Sequence, residues 1–248
     1  VEVSWLPVNN QGIVEVSSLE KLIKPNTILV SVIYVNSETG ARQPLREIGS
    51  LLEKINKTRE APGQQAGAHS TKRLPHIYFH TDATQAINYF NCQVDYLHCD
   101  LLSFSGHKIY GPKGIGVLYV RSRTPLQPIQ LGGHQENNRR SGTLNVPGIV
   151  GLAKALELVA KQQEEEVRRI GDLRQHLVDG IMRNIPDVVL NTELSQASPS
   201  HAHISIMRAE GESVLLALDL AGIAVSTGSA CASSSLEASS TLLAMGIS

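Results

Sequence analysis

The strongest constraint on the fold is an alternation between short apolar segments and longer amphipathic ones. Residues 28–35 are rich in β-branched side chains and have the length of a strand buried on both faces. Residues 44–56 repeat apolar side chains at helical spacing, and Pro44 suits the first turn of that helix. Further strand-like segments follow at 76–80, 101–104 and 116–120. Strands that alternate with helices predict an α/β sheet with crossover connections.

The second half of the chain has a different pattern. Residues 146–184 have helical spacing, first apolar and then charged, and strand-like segments at 188–190 and 203–206 and a helix at 211–220 follow. The long helix is a natural bridge into another domain. We therefore predict that residues 1–165 are part of a large domain and that residues 166–248 are part of a smaller C-terminal α+β domain.

Two further features concern the limits of these domains. Residues 57–75 are polar, with scattered glycine and alanine and no apolar period, which predicts an exposed surface insertion. The chain begins without methionine inside a strand-like segment and stops soon after a helix-like one. We expect it to be a fragment truncated at both ends.

Composition and charge narrow the classes of function. With 42% hydrophobic and 18% charged residues the chain has a globular composition, and its net charge of -1 gives no support for a broad nucleic-acid or membrane surface. No apolar segment is long enough to span a bilayer. Three cysteines, none in a C-x-x-C pair, support neither a disulfide framework nor a metal site. We expect a reducing compartment, such as the cytoplasm or the mitochondrial matrix.

The most informative segment surrounds Lys108. Small and polar residues follow a buried strand here, and strand ends of open α/β sheets are where ligands bind. A lysine in that place can attack an aldehyde, while the hydroxyl of Ser105 and the imidazole of His107 can donate hydrogen bonds to a phosphate. The alternative is a glycine-rich turn whose lysine is merely solvated, and the four residues 105–108 alone would favour it.

A second element supports the binding of a cofactor that carries both an aldehyde and a phosphate. Asp82 follows an apolar strand about one crossover earlier, where a carboxylate can keep a pyridine nitrogen protonated and so improve the ring as an electron sink. Gln85, three residues on, can reach the phenolic oxygen of such a ring. Asp82 alone would more often be a helix N-cap.

The third element is the loop around Cys231. Residues 225–237 are almost entirely small and polar, so they cannot pack a core and we expect them to be mobile. A thiol in such a loop can be a nucleophile that travels, although it can also be an incidental cysteine in a capping loop. Cys92 and Cys99 have apolar neighbours and fit a structural role better.

These motifs together resemble the class V aminotransferase-like enzymes that use pyridoxal phosphate, and within them the cysteine desulfurases of the iron–sulfur-cluster and nitrogen-fixation type. The resemblance runs nearly from end to end, except for residues 57–75, and its motifs occur in the family's order and at its spacings. The residues that carry it are His80-Thr81-Asp82-Ala83-Thr84-Gln85, Ser105-Gly106-His107-Lys108, Arg140-Ser141-Gly142-Thr143 and Ser229-Ala230-Cys231.

The resemblance implies a fold, a cofactor and a set of roles. The fold is the pyridoxal-phosphate transferase fold type I, a mostly parallel sheet sandwiched by helices. Five residues are implied to hold the cofactor. Lys108 carries it, Asp82 pairs with its ring nitrogen, Gln85 contacts its phenolic oxygen, and Ser105 and His107 hold its phosphate. A further phosphate contact comes from the neighbouring subunit through the residue that matches Thr143, which implies a homodimer.

The implied reaction is the removal of sulfur from L-cysteine. Lys108, and His107 or a neighbouring histidine, would move protons, while Cys231 would receive the sulfur as a persulfide and leave L-alanine. The form of the loop resembles the group that hands sulfur to iron–sulfur scaffold or sulfur-carrier proteins. Selenocysteine lyase and a catalytically weakened scaffold protein with the same fold remain alternatives.

The chain departs from the family pattern at several positions. Ser37 stands where the family has an asparagine that contacts the cofactor, and His134 and Asn137 replace a glycine and an arginine. By the resemblance, the histidine that stacks on the cofactor ring and the arginine that binds the substrate carboxylate fall outside residues 1–248. The substitutions concern fine specificity, whereas the missing histidine and arginine lead us to expect that the fragment alone is inactive.

Overall fold

The structure, a computed structural model that describes residues 1–60, 74–226 and 239–247, contains a sheet of four strands. Its strands lie in chain order, and they are β1 (Leu29–Ile33), β2 (Tyr78–Asp82), β3 (Leu101–Ser105) and β4 (Gly116–Val120). The pairs β1–β2 and β2–β3 are parallel, and β4 pairs antiparallel with β3. The predicted, mostly parallel α/β sheet is therefore confirmed, with one antiparallel strand added to it.

The described helices match most of the predicted ones. They are α1 (Val16–Leu22), α2 (Leu45–Glu60), α3 (Val94–Leu97), α4 (Gln135–Asn138), α5 (Val146–Asn184), α6 (Gly211–Leu220) and α7 (Ser240–Ala244). The predictions of helices at 146–184 and 211–220 are confirmed to the residue. Helix α5 is 39 residues long, and it has the apolar first part and the charged second part that the sequence predicts.

The strands bury one face and leave the other partly open. Residues of alternating position are buried, namely Val30, Val32, Phe79, Thr81, Leu102 and Phe104. Helix α2 also has a buried stripe, at Leu45, Ile48, Leu52 and Asn56, with the spacing of a helix face. The Asn56 side chain joins α2 to the start of β2, since it exchanges two hydrogen bonds of 2.9 Å with the backbone of Ile77.

Gly49 allows α2 to approach α3 closely. A Cβ atom on Gly49 would lie 2.3 Å from the backbone oxygen of Leu97, which no side chain tolerates. The position therefore requires glycine because of this close approach to the end of α3.

Helix α2 extends further than the sequence predicted. Residues 57–60, assigned above to a surface insertion, are the last turn of α2, and residues 61–73 of that insertion lie outside the described residues. The cause is Arg59, which is only 8% exposed and donates hydrogen bonds to the backbone oxygens of Lys24, Pro25, Thr27 and Pro75. A buried guanidinium with four acceptors keeps the helix wound to Glu60.

The chain divides into two compact units. One comprises residues 22–34 and 43–165, with the sheet, and the other comprises residues 1–21, 35–42 and 166–248. The predicted domain limits, 1–165 and 166–248, share the boundary at residue 165, but two N-terminal segments cluster with the C-terminal part. The assignment of domains stays a prediction.

The second unit contains the antiparallel strands β5 (Val188–Leu190) and β6 (Ile204–Ile206). Its N-terminal segments are attached to the region after β5. Gln11 accepts a hydrogen bond from the Thr192 hydroxyl through its backbone oxygen and one from the Glu193 N–H through its side chain. Ala41 forms a β-bridge with Ala197. These contacts explain why the segments 1–21 and 35–42 belong to this unit.

Candidate functional site

Two parallel strands bring the predicted site residues to one edge of the sheet. Asp82 is the last residue of β2 and Ser105 is the last residue of β3, and Asp82 lies opposite Ser103 in the register. The side chains of Asp82, Ser103 and Ser105 lie on the same face of the sheet, because residues two apart on a strand share a face. This edge is where ligands bind in open α/β sheets.

One oxygen of the Asp82 carboxylate accepts a hydrogen bond within the chain, and the other is available for a ligand. Its Oδ1 atom accepts a hydrogen bond of 2.8 Å from the N–H of Thr84, which starts the turn that follows β2. Residues 83–93 contain no helix, so this contact belongs to a turn and differs from the helix N-cap that the sequence offered as an alternative. The structure gives its second oxygen no hydrogen-bond partner in the described part of the chain, so a carboxylate oxygen remains for a cationic group such as a protonated pyridine nitrogen.

Ser105 and His107 form a pair of hydrogen-bonding groups directly after β3. Ser105 Oγ and His107 Nδ1 are 2.7 Å apart, Ser105 is half-buried and His107 is exposed. One of these groups donates to the other in this contact, and the N–H or O–H groups that the contact does not use can donate to phosphate oxygens. These donors fit a phosphate group.

Lys108 lies in the short 3-10 helix Gly106–Ile109 and is exposed. Buried Ile109 anchors the turn, and Asn88 Nδ2 donates a hydrogen bond of 2.8 Å to the backbone oxygen of Lys108. A Cβ atom on Gly106 would lie 3.0–3.1 Å from atoms of Ile115 and Leu152, so the turn packs tightly at its start. The backbone of Lys108 is fixed while its amine is free to reach a ligand.

Asp82, Ser105, His107 and Lys108 are therefore held at one sheet edge, and their chemistry fits pyridoxal phosphate. The carboxylate suits the ring nitrogen, the hydroxyl and imidazole suit the phosphate, and the amine suits the aldehyde. Gln85 lies in the turn after Asp82 and is half-buried, and Thr143 is exposed in the loop before α5. Their roles stay predictions.

The remaining two predicted residues belong to other parts of the chain. Ser37 is exposed in a turn of the second unit, where Asn36 Oδ1 accepts the N–H groups of Glu38 and Thr39. Its contact with a cofactor stays a prediction. Cys231 lies outside the described residues, and helix α7 begins nine residues after it, at Ser240.

The sequence interpretation did not assign a function to His80 with its two serine partners. His80 Nδ1 is 2.8 Å from Ser31 Oγ on β1, and His80 Nε2 is 3.2 Å from Ser103 Oγ on β3. Burial lowers the pKa of His80, and the nearby Asp82 opposes that change in part. Spacing along the strands is the sequence signal that indicates this contact. His80 stands two residues before Asp82 and Ser103 two residues before Ser105, so each shares a strand face with a predicted site residue.

The two described cysteines have unreactive environments. Burial, and to a smaller extent the neighbouring Cys99, raises the pKa of Cys92 to about 12. Burial also raises the pKa of Cys99 to about 11, although Arg121 opposes the change. Both thiols stay protonated near neutral pH and are poor nucleophiles. This agrees with the structural role predicted for them.

The described residues, 1–60, 74–226 and 239–247, lack both a candidate metal site and a candidate membrane-spanning helix. They contain no group of three or more histidine, cysteine, aspartate or glutamate side chains placed to hold a metal ion. In the same residues, every helix is too short or too polar to cross a membrane.

The sequence matches the family described as aminotransferase class-V over residues 1–59 and 61–246. It is 41% identical over 246 residues to a protein named cysteine desulfurase IscS from Dictyoglomus turgidum, a match that covers 99% of this chain and 57% of that protein. It is 42% identical over 246 residues to a cysteine desulfurase of Mus musculus, covering 98% of this chain and 49% of the mouse protein. The chain thus spans about half the length of these relatives.

Solved structures give the same result for the fold. A NifS-like protein superposes with a TM-score of 0.83 at 33% identity, over 100% of this chain and 59% of its own. A structure described as SspA in complex with cysteine superposes with a TM-score of 0.75 at 30% identity, over 100% of this chain and 62% of its own. These likenesses confirm the fold class predicted from the sequence.

Proposed function

Because the chain belongs to the class-V aminotransferase family, we propose that the protein is a cysteine desulfurase that uses pyridoxal phosphate. The observation that carries the proposal is the edge at which Asp82, the Ser105–His107 pair and Lys108 lie together. That set matches the ring nitrogen, the phosphate and the aldehyde of one cofactor. Each of these residue roles is part of the proposal.

Lys108 carries the cofactor through its Nζ atom, Asp82 pairs with the ring nitrogen, and Ser105 and His107 hold the phosphate. Gln85 contacts the phenolic oxygen, and Ser37 adds a polar contact where the family has an asparagine. When bound, the cofactor supplies an electron sink for the bond changes at the substrate. The residues of this chain bind it, orient it and move the protons.

The reaction transfers one sulfur atom from L-cysteine to Cys231. Lys108 Nζ would accept the proton from the α-carbon of L-cysteine and return it to that carbon after the sulfur has left. The Cys231 thiolate then attacks the substrate sulfur, so that the Cβ–S bond breaks and an S–S bond forms. The Cβ atom gains a proton, with His107 or a neighbouring histidine as the donor. The products are L-alanine and a persulfide on Cys231, which together contain all atoms of L-cysteine and the thiol.

The partners follow from this chemistry. The persulfide passes to an iron–sulfur scaffold or a sulfur-carrier protein, since a thiol-bound sulfur needs an acceptor for the next cycle. The protein acts as a homodimer in which Thr143 of each subunit reaches the cofactor phosphate of the other, which agrees with its exposed position. A reducing compartment, the cytoplasm or the mitochondrial matrix, keeps the thiols available.

The test is sulfur transfer by the whole protein. After brief exposure to L-cysteine, mass spectrometry of the wild type should find one added sulfur on the peptide that contains Cys231, with release of L-alanine. Cys231→Ser should bind pyridoxal phosphate and cysteine but release little alanine, whereas Cys92→Ser and Cys99→Ser should transfer sulfur normally. Full turnover of Cys231→Ser would refute the reaction. Turnover of selenocysteine far above that of cysteine would assign the protein to selenocysteine lyase instead.

A further inference from the structure

His80 joins three strands of the sheet through its side chain. It stands on β2, with Ser31 on β1 and Ser103 on β3 as hydrogen-bond partners at 2.8 Å and 3.2 Å. The two ring nitrogens thus bridge strands whose backbones do not pair with each other. These two hydrogen bonds fix the positions of the Ser31 and Ser103 side chains relative to β2 on the open face of the sheet.

The hydrogen bonds of His80 with Ser31 and Ser103 lie next to Asp82. His80 and Asp82 are two residues apart on β2, so their side chains share a face of the sheet. Ser103, which His80 holds on one side, is also the register partner of Asp82. The position of the Asp82 carboxylate therefore depends on strands that His80 connects.

We propose that His80 is a positioning residue for the Asp82 carboxylate, on which it acts through Ser31 and Ser103. The inference rests on the proposed function, because Asp82 needs a fixed position only if it pairs with a cofactor nitrogen. His80 itself is no part of the predicted cofactor contacts.

The protonation of His80 supports this role. Burial lowers the pKa of the imidazole, and only the Asp82 charge acts against it, while Ser31 and Ser103 are uncharged. A neutral imidazole has one N–H group, so it donates to one serine and accepts from the other. It also leaves the Asp82 charge for the cofactor, since a charged imidazole beside it would neutralise that carboxylate.

The role can be tested in the whole protein with two substitutions of His80. His80→Phe keeps an aromatic ring and removes both hydrogen bonds, whereas His80→Gln keeps a donor and an acceptor. Ser31→Ala and Ser103→Ala remove one bond each and change little volume. His76→Phe is the matched control, because His76 lies just before β2, at the opposite end from Asp82, and pairs with Glu60 at 3.2 Å.

Two measurements distinguish a positioning role from a purely structural one. In the cofactor-free protein, nitrogen NMR should show His80 as one neutral tautomer, and Ser31→Ala or Ser103→Ala should shift its ring nitrogen signals. In the cofactor-loaded protein, His80→Phe should shift the visible absorption band and lower kcat roughly tenfold with KM within about twofold, the scale expected for the loss of supporting hydrogen bonds. His80→Gln should recover most of both, and His76→Phe should change neither.

The outcomes separate this inference from the proposed function. If the wild type releases alanine and both His80→Phe and Ser103→Ala keep its absorption band and kcat, the positioning role is wrong and the function stands. If the wild type releases no alanine and the band still shifts in His80→Phe but not in His80→Gln, the function is wrong and the positioning role stands. Equal losses in His80→Gln and His80→Phe would also contradict the role, because hydrogen bonding would then not matter.

Discussion

Glu38 Oε2 accepts a hydrogen bond from the hydroxyl of Ser239 across 201 positions of the chain. Its other oxygen accepts one of 3.2 Å from the Thr241 hydroxyl. Ser239 Oγ in turn accepts the N–H groups of Thr241 and Leu242 at the start of α7. A carboxylate from the turn at residues 36–40 therefore completes the cap of a helix that begins nine residues after Cys231.

This relationship predicts the effect of removing the cap. Ser239→Ala loses the capping oxygen and leaves Glu38 with one partner, so the melting temperature of the whole protein should fall by roughly 2–4 °C. Glu38→Gln keeps one acceptor oxygen and should have a smaller effect. Ser240→Ala is the control, since Ser240 is exposed one residue further on. A loss as large in Ser240→Ala as in Ser239→Ala would contradict the cap.

Lys108 is predicted to be the residue that carries the cofactor. Borohydride reduction in the presence of pyridoxal phosphate, followed by peptide mapping, should place the label on Lys108. Lys108→Ala should abolish the label and leave the melting temperature nearly unchanged, because the side chain is exposed. The matched control is Lys113→Ala, since Lys113 is also exposed and five residues away. Recovery of the label on Lys113 would rule out the assignment.

Asp82→Asn separates the local contact of Asp82 from its charge. An amide oxygen can still accept the N–H of Thr84, so the turn after β2 should remain and the melting temperature should hardly change. The negative charge is lost, and turnover should fall roughly 100-fold because a neutral amide cannot balance a pyridinium. A falling melting temperature with unchanged turnover would show that Asp82 is only a capping residue.

Much of the fold and of the site edge could be predicted from local sequence. The bounds of α5 follow from helical spacing over 39 residues. The bounds of β4 follow from an apolar segment that begins at Gly116 and ends before the charged Arg121. Asp82, Ser105 and Lys108 are indicated by their positions at the end of an apolar strand or shortly after it. Such signals lie within a few residues of the site that they mark.

Other contacts depend on residues that are distant in the chain. The last turn of α2 is held by Arg59, whose four acceptors come from residues 24–27 and 75. The hydrogen bonds of His80 depend on the register of three strands, and the Glu38–Ser239 hydrogen bond joins residues 201 positions apart. No local pattern indicates such partners, because each side chain alone has an ordinary solvated alternative.

The pKa values of Cys92 and Cys99 predict slow alkylation of both thiols. Since burial raises them to about 12 and about 11, iodoacetamide at pH 8 should modify neither in the native protein and both after denaturation. Folding favours the protonated thiols, so their contribution to stability is full below pH ~8.5 and is lost as pH rises towards the folded values. Rapid native modification at pH 8 would contradict this environment.

Thr143 is predicted to act across the interface of a homodimer. Mixing Thr143→Ala with Lys108→Ala should restore part of the activity, because a heterodimer then holds one site with both defects and one with neither. Each variant alone should be weak. Absence of recovery, with subunit exchange demonstrated by differently tagged chains, would show that Thr143 acts within its own subunit.

The attachment of Gln11 to Thr192 and Glu193, and of Ala41 to Ala197, has a consequence for the order of folding during synthesis. Residues 1–21 leave the ribosome before their partners, which lie some 180 residues further along the chain. In the four-stranded sheet, the last of the described strands, β4, ends at Val120, so these strands can pair before the partners of residues 1–21 have been synthesised. We expect the segment to be a binding site for chaperones on the nascent chain, and ribosome-stalled chains ending before residue 190 should expose it to proteases.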